Sequence, residues 1–291
     1  GAAFPPRPKG RGLHAVDMYE SLIGTAVKPF RNRVVIATKC GIQRIDDDMR
    51  INNDLTYIKK SCDNSLKRLD METIDLYYLH RYNQEVPIEV SMQAMQELIN
   101  EGKILYVDLS EVDGEILERA YSILGDKLIA LQSEYSIVNH KAADITLPTC
   151  RKLGIAFVPF SPIARGLLSG KIKDTKSFSE SKAFDFRSVH PQFQPDALKA
   201  NMTLIEAISS IATAKNCTPA QLSLAWLLAQ GKDIIPIPGT KRITCLKENI
   251  RALEIQLSKE DLATIDKIIN ENPVTGARYP ETIRNISYLK F

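Results

Sequence analysis

"TIDLYYLHRY", residues 73–82, is the stretch on which the fold turns. From Ile74 to Leu79 it is apolar almost without a break, and polarity then arrives at once as His80 and Arg81. A strand buried on both faces has this form, because neither side of its pleat meets water. Five more runs share it: VVIAT (34–38), ILYVDL (104–109), LIALQSE (128–134), IAFVPF (155–160) and DIIPIPG (233–239).

Amphipathic stretches lie between the runs. Residues 54–69 place Leu55, Ile58, Cys62, Leu66 and Leu69 at helical spacing. Residues 87–102 open on Pro87 and close on Gly102, the asymmetry expected of a helix. Thr218 before Pro219 predicts a helix start that Gly231 ends, and Ser258 with Asp261 comes close to a capping box. Strict alternation of strand and helix predicts a parallel sheet with right-handed crossovers. An open doubly wound sheet would carry a glycine-rich phosphate turn after its first strand. The GxG formed by Gly10 and Gly12 follows no strand, so the pattern favours a (β/α)₈ TIM barrel. Six strands can be counted where eight close a barrel. The first thirty residues cannot hold two βα units of about 30 residues each. The expectation is a barrel incomplete at its N-terminus. Residues 1–19 form an atypical arm and residues 20–291 a single partial barrel domain with a C-terminal segment at the mouth.

Composition narrows the class. The chain has 291 residues, 44% hydrophobic and 25% charged, and a formal net charge of +3, so no global case for nucleic acid arises. Its five cysteines are scattered, odd in number and without CxxC spacing, which argues for reduced thiols and a cytoplasmic protein. No apolar run reaches the ~18 residues of a membrane span, and the basic start lacks the apolar stretch of a secretory signal.

In barrels of this kind chemistry gathers at the C-terminal strand ends. Read in order, those ends offer Lys39, His80 with Arg81, Ser110 with Glu111, Gln132, Phe160 with Ser161, and Gly239–Thr240–Lys241. Every strand must end in something polar, and a histidine near a strand tip is often only structural. A histidine and a lysine from neighbouring tips can also handle a proton. The imidazole donates to a carbonyl oxygen gaining charge, and an ammonium favours the ionised form of an acidic neighbour. That pair suits carbonyl reduction.

At these residues the sequence resembles the aldo-keto reductases. VVIATKCG, SCDNSLKRLDMETIDLYYLHR, EGKILYVDLSE, LQSEYS, VPFSPIARGLLSGK and IPIPGTKRITCLKENI occur in family order, closest to the plant and microbial aldehyde reductases. The resemblance implies a (β/α)₈ barrel, NADPH as cofactor, a small carbonyl compound as substrate, and no metal. Carried over residue by residue, Lys39 tunes a catalytic tyrosine and His80 polarises the carbonyl. Ser110 and Gln132 hold the nicotinamide carboxamide, and Phe160 stacks on its ring. Ser161, Ile163, Arg165 and Gly166 cover the pyrophosphate. Gly239, Thr240 and Lys241 take the 2′-phosphate, and Glu248 and Asn249 edge the adenine.

The sequence also departs from the family. The first two βα units, which carry a catalytic aspartate and the proton-donating tyrosine, have no counterpart. In one register YESLIG covers the family's NEELIG and Tyr19 is not the catalytic tyrosine. In another, a short deletion makes Tyr19 the catalytic tyrosine, with His14 in place of the aspartate. Asp108 stands where glycine is common, an acid that is costly to bury unless paired. Ala164 likewise replaces a frequent glycine. The leading reading is an NADPH-dependent aldehyde or ketone reductase, impaired by these losses. The alternative is a catalytically weak NADP(H)-binding protein of the same fold. A phosphate-binding barrel enzyme that uses Lys39 in a Schiff base is a third. Residues 176–193 read as an irregular flap, and Arg278 and Tyr279 as either substrate contacts or surface. The choice between monomer and homo-oligomer is open.

Overall fold

The computed structural model of the chain describes residues 15–45, 48–175, 178 and 185–289. His14 lies outside the described residues, as do residues 176–177 and 179–184 of the expected flap. Five strands form one parallel sheet in the order β1 (Ala37–Cys40), β4 (Ile74–Leu79), β5 (Ile104–Ser110), β6 (Leu128–Glu134), β7 (Ala156–Phe160). A separate antiparallel hairpin, β2 (Ile42–Ile45) with β3 (Asp48–Ile51), follows β1. The helices are α1 (Ala15–Val27), α2 (Leu55–Leu69), α3 (Ile88–Asn100), α4 (Gly114–Leu124) and α5 (Lys141–Leu153). After β7 come α6 (Pro195–Ala214), α7 (Pro219–Ala229), α8 (Ile243–Ile250), α9 (Lys259–Glu271) and α10 (Glu281–Ile286).

The architecture is that of a (β/α)₈ barrel drawn as an open arc. Tyr77, Leu79, Val107, Leu109, Leu131 and Phe157 point outward and are buried against Ile58, Cys62, Met92, Leu98 and Leu117 of the helical layer. Each such burial is worth roughly 1.5–3 kcal/mol. The expected capping devices are present. Thr218 and Gln221 cap α7 reciprocally, and Ser258 with Asp261 does the same for α9.

Several boundaries differ from the sequence reading. The first strand is 37–40 rather than 34–38, so Lys39 lies within it instead of after it. The Ile36 N–H is taken by the Asp75 carboxylate at 2.6 Å, which ends regular pairing on that side. The expected sixth strand is a short extended segment. Ile234 bridges Phe157, and the N–H groups of Ile235 and Ile237 donate to the carbonyls of Phe157 and Pro159 at 2.9 and 3.1 Å. Alternation turns residues 236 and 238 toward the other edge, and both are prolines with no N–H to offer. Among the described residues β1 pairs only with β4, so the arc does not close. Helix α1 begins at Ala15, so the expected arm boundary at residue 19 falls inside it.

Helix α1 seats on the end of α2 through Gly24. A Cβ there would stand 2.1 Å from the Leu69 carbonyl oxygen. Alanine normally stabilises a helix interior relative to glycine. Here Gly24→Ala should instead destabilise the protein by about 1–3 kcal/mol, measured by chemical denaturation, because the contact is with backbone and cannot yield cheaply.

Candidate active site

Register decides which side chains meet. Lys39 is the partner of Tyr78, Tyr78 of Asp108, and Asp108 of Ala130. Ser110 pairs with Gln132, Gln132 with Val158, and Glu134 with Phe160. Partners in neighbouring strands face the same way, and alternate residues share a face. Lys39, Tyr78, Asp108, Ser110, Gln132 and Phe160 therefore lie on the concave side, opposite the helical core. His80, two residues beyond Tyr78, stands at the C-terminal edge of that side. Lys39, His80, Ser110, Gln132 and Phe160 thus share one side of the strand ends.

His80 is fixed by its backbone. Its N–H donates to the Cys40 carbonyl at 2.8 Å. Behind it the fully buried Asn53 amide donates to the Arg81 carbonyl at 3.1 Å and accepts the Asn83 N–H at 2.6 Å. Burial, aided by Arg81 and Lys39, pushes the imidazole down to about 3, so it is neutral at ordinary pH. Burial also lowers Lys39; Asp108 opposes that and Arg81 adds to it. The Lys39 ammonium sits 4.5 Å from the centre of the Tyr78 ring.

A charge cluster that sequence reasoning did not foresee lies over the strand ends. Glu111, fully buried at φ 59°, is paired with Arg278 and with Arg81 at 3.2 Å. It also accepts the Ser133 hydroxyl at 2.6 Å and the Glu134 N–H at 3.0 Å. Glu134 is paired with Arg165 at 2.6 Å. Three guanidiniums surround the Tyr279 ring, with Arg278 at 4.8 Å, Arg165 at 5.4 Å and Arg81 at 5.7 Å from its centre. Burial pushes Glu111 up, but Arg278 and Arg81 outweigh it and hold the carboxyl at about 2. Arg278 and Tyr279 are thus not surface residues; they tie the C-terminal segment across the strand ends. The nearest hint in the sequence was polarity at adjacent strand tips, which does not reveal a partner some 167 residues away.

The remaining expected residues fall into two groups. Ser161 is buried with its Oγ lacking a hydrogen-bond partner, and Asn249 is buried with its Nδ2 in the same condition. Gly239, Thr240 and Lys241 are exposed, and a Cβ on Gly239 would meet no protein atom within 4 Å. These residues leave room for a ligand rich in acceptors. Ser161, Ala164, Arg165 and Gly166 all have positive φ, from 47° to 97°, which makes the turn after β7 a tight concave loop that includes Ile163. Two others are already engaged. Arg165 is bound to Glu134, and Glu248 accepts the Thr218 hydroxyl at 2.7 Å. Tyr19 does not join the mouth. It stands 52% exposed on α1, whose neighbouring Glu20 reaches the outward-facing Thr38 at 2.5 Å and Arg68 of α2. That places the helix in the outer layer, across the sheet from Lys39.

A parallel barrel arc with lysine, histidine and buried acids gathered at its C-terminal strand ends is built as a barrel enzyme. Residues 16–270 match the aldo/keto reductase family model, and the chain belongs to that family of oxidoreductases. It is 39% identical over 280 residues to "Probable aldo-keto reductase 1" of Glycine max, covering 95% of this chain and 79% of that protein. It is 40% identical over 274 residues to "Aldo-keto reductase yakc [NADP(+)]" of Schizosaccharomyces pombe, covering 91% and 80%. In structure it resembles the glycerol dehydrogenase AKR11B4 from Gluconobacter oxydans, with TM-score 0.79 and 23% identity over 88% of this chain and 78% of that one. It also resembles the thermostable aldo-keto reductase Tm1743, solved with the inhibitor epalrestat, with TM-score 0.65 and 30% identity over 86% and 77%. Among the described residues no helix is long and apolar enough to cross a membrane.

Two outcomes follow from the electrostatics. Arg278→Met should cost about 3–5 kcal/mol by leaving Glu111 buried with a weakened partner set, and Glu111→Gln in the same chain should recover part of it in denaturation. The carboxyl at about 2 adds stability that is present above its unfolded value and is lost as pH falls toward about 2. The His80 imidazole should show no protonation from about pH 8 down to about pH 5 in nitrogen NMR, whereas an exposed histidine titrates there.

Proposed function

We propose that this protein reduces aldehydes or ketones to alcohols with NADPH, at a rate well below that of a complete barrel. The observation that carries the reading is the convergence of Lys39, His80, Ser110, Gln132 and Phe160 on one face of the strand ends. The name of the fission yeast relative supports NADP as the nucleotide. The unpartnered Ser161 and Asn249 atoms and the open cradle at 239–241 fit a dinucleotide. Ser110 and Gln132 would hold its carboxamide, Phe160 its ring, and Thr240 and Lys241 its extra phosphate. The bound cofactor would supply a hydride.

Neutral His80 donates a hydrogen bond to the carbonyl oxygen and carries no charge of its own to desolvate. It orients and polarises, and the proton that oxygen finally takes must come from elsewhere. The exposed position of Tyr19 on α1 argues against that role for it and supports a reduced rate, since loss of a general acid forfeits about 10²–10⁴-fold. The same position supports the second reading, a protein that binds NADP(H) without useful turnover. The proposed setting is the cytoplasm, in keeping with five free cysteines.

Incubation with NADPH and 4-nitrobenzaldehyde should consume the reduced nicotinamide absorbance slowly, and His80→Ala should lower kcat/KM by roughly 10²–10³-fold. Thermal stabilisation by NADP⁺ with no turnover would favour the binding reading instead.

A further inference from the structure

The β1 edge of the arc carries backbone groups that no described residue takes. The Leu76 and His80 N–H groups donate to the Ile36 and Cys40 carbonyls, so the even-numbered residues of β1 turn their N–H and C=O toward β4. A parallel ladder alternates, and Ala37 and Lys39 therefore turn theirs to the open side. Among the described residues β1 pairs with β4 alone. Beside this edge stands an apolar flank of α1. Glu20 and Gly24 face α2 and the sheet. On one side of them Tyr19, Leu22, Ile23 and Ala26 recur at helical spacing, and all are exposed. On the other side lie Ser21, Thr25 and Lys28, and the Lys28 ammonium reaches Asp70 at the end of α2 at 2.5 Å. The apolar flank is thus turned away from α2, toward the open edge. Phe30 and Val35, 41% and 74% exposed, add to it on the approach to β1.

We propose that this edge is a dimer interface, occupied by the β1 edge and the α1 flank of a second copy of the chain. The chain's own edges select that partner. The other extended edge, residues 234–238, turns Pro236 and Pro238 outward and cannot supply a full set of donors. A second β1 can. An antiparallel pair about a two-fold axis sets Ala37 opposite Lys39 of the second copy, and Lys39 opposite its Ala37, so that each outward N–H of these residues meets a carbonyl. With the axis normal to the sheet, both helical layers lie on one side of it, and the two α1 flanks meet above the joint. Tyr19, Leu22, Ile23, Phe30 and Val35 together expose about 500 Å² of apolar surface per copy, the apolar share of the roughly 800 Å² per partner of a standard interface. The pairing also gives the strand that holds Lys39 a second neighbour in the ladder.

Sedimentation equilibrium of the full chain over a wide concentration range reads the assembly, and a dimer is expected. Leu22→Glu puts a charge into the joint at an exposed position, clear of the core. It should weaken dimerisation at least about tenfold with an unchanged circular dichroism spectrum. Leu253→Glu, exposed beyond α8 on the opposite flank, should leave the dimer as it is. Hydrogen exchange followed by NMR should find the Ala37 and Lys39 amides protected in the wild-type dimer and exchanging at least about tenfold faster in the Leu22→Glu monomer. A chain that stays monomeric throughout overturns the proposal, and protected Ala37 and Lys39 amides in that monomer assign the edge to a stretch of its own chain, such as residues 1–14. A dimer that Leu22→Glu leaves intact overturns it as well. Loss of that dimer in Leu253→Glu assigns the interface to the opposite flank, where Ile243, Leu246 and Ile250 are also exposed. A dimer that Leu22→Glu breaks, but whose Ala37 and Lys39 amides exchange freely, overturns the strand pairing.

Discussion

Parallel register is the constraint on which the site depends. Lys39, Tyr78 and Asp108 are successive partners across three strands, so their backbone positions cannot be separated without breaking ladder hydrogen bonds. The same register sends Tyr77, Leu79, Val107 and Leu109 into the helical core. A slip of one residue would exchange the two sets, putting an amine and a carboxyl into hydrocarbon. The apolar outward face therefore enforces the polar inward one. Packing energy, which is non-directional, becomes site geometry through the strict alternation of the pleat.

Above this layer the charge cluster solves a different problem. The strand ends leave carbonyls, turns and acids facing a C-terminal segment that must lie somewhere. Glu111 and Glu134 each engage guanidiniums from distant points of the chain, and Arg278 contacts both. Burying such charges gains little over apolar packing, but removing one partner is costly. The arrangement therefore selects one position of the C-terminal segment more than it adds stability. Tyr279, with arginines on its faces and its hydroxyl accepting from Arg81 at 3.4 Å, completes the clamp. Burial, with Glu111 and Glu134 beside it, keeps that hydroxyl protonated, its value pushed up to about 12.

Much of this was legible in the sequence because it is local. Apolar runs ending in polar residues located β4, β5, β6 and β7 within a residue or two, and cap chemistry located α7 and α9. The strand-end set was legible for the same reason, since each residue is read off its own strand. What escaped was either long-range or short and polar. The β2–β3 hairpin carries too few apolar residues to announce itself. The partners of Glu111 and Glu134 come from the turn after β4, from the loop after β7 and from the C-terminal segment, and no spacing rule links them. Tyr19 shows the opposite failure. A tyrosine at a plausible place in an alignment says nothing about which side of a sheet it occupies, and here its helix is tied to the outward-facing Thr38 through Glu20.

The strand that carries Lys39 is also the edge of the arc, where a ladder restrains least. Its position depends on contacts from outside the sheet. The Asp75 carboxylate accepts the Ile36 N–H at 2.6 Å and is itself paired with Arg31 at 2.7 Å, which pins the entry to β1. Glu20, buried in α1, accepts the Thr38 hydroxyl at 2.5 Å and pairs with Arg68 of α2 at the same distance. Thr38 and Lys39 are adjacent and point to opposite faces, so fixing the hydroxyl on the outside fixes the origin of the amine on the inside. At the other edge the missing N–H groups of Pro236 and Pro238 deny a neighbouring chain the donors it would need for a full ladder. The two edges are thus held by unlike means: one by acids acting on its backbone and its outward hydroxyl, the other by the absence of donors. The first edge carries Lys39 within its strand, and the second leads into Lys241.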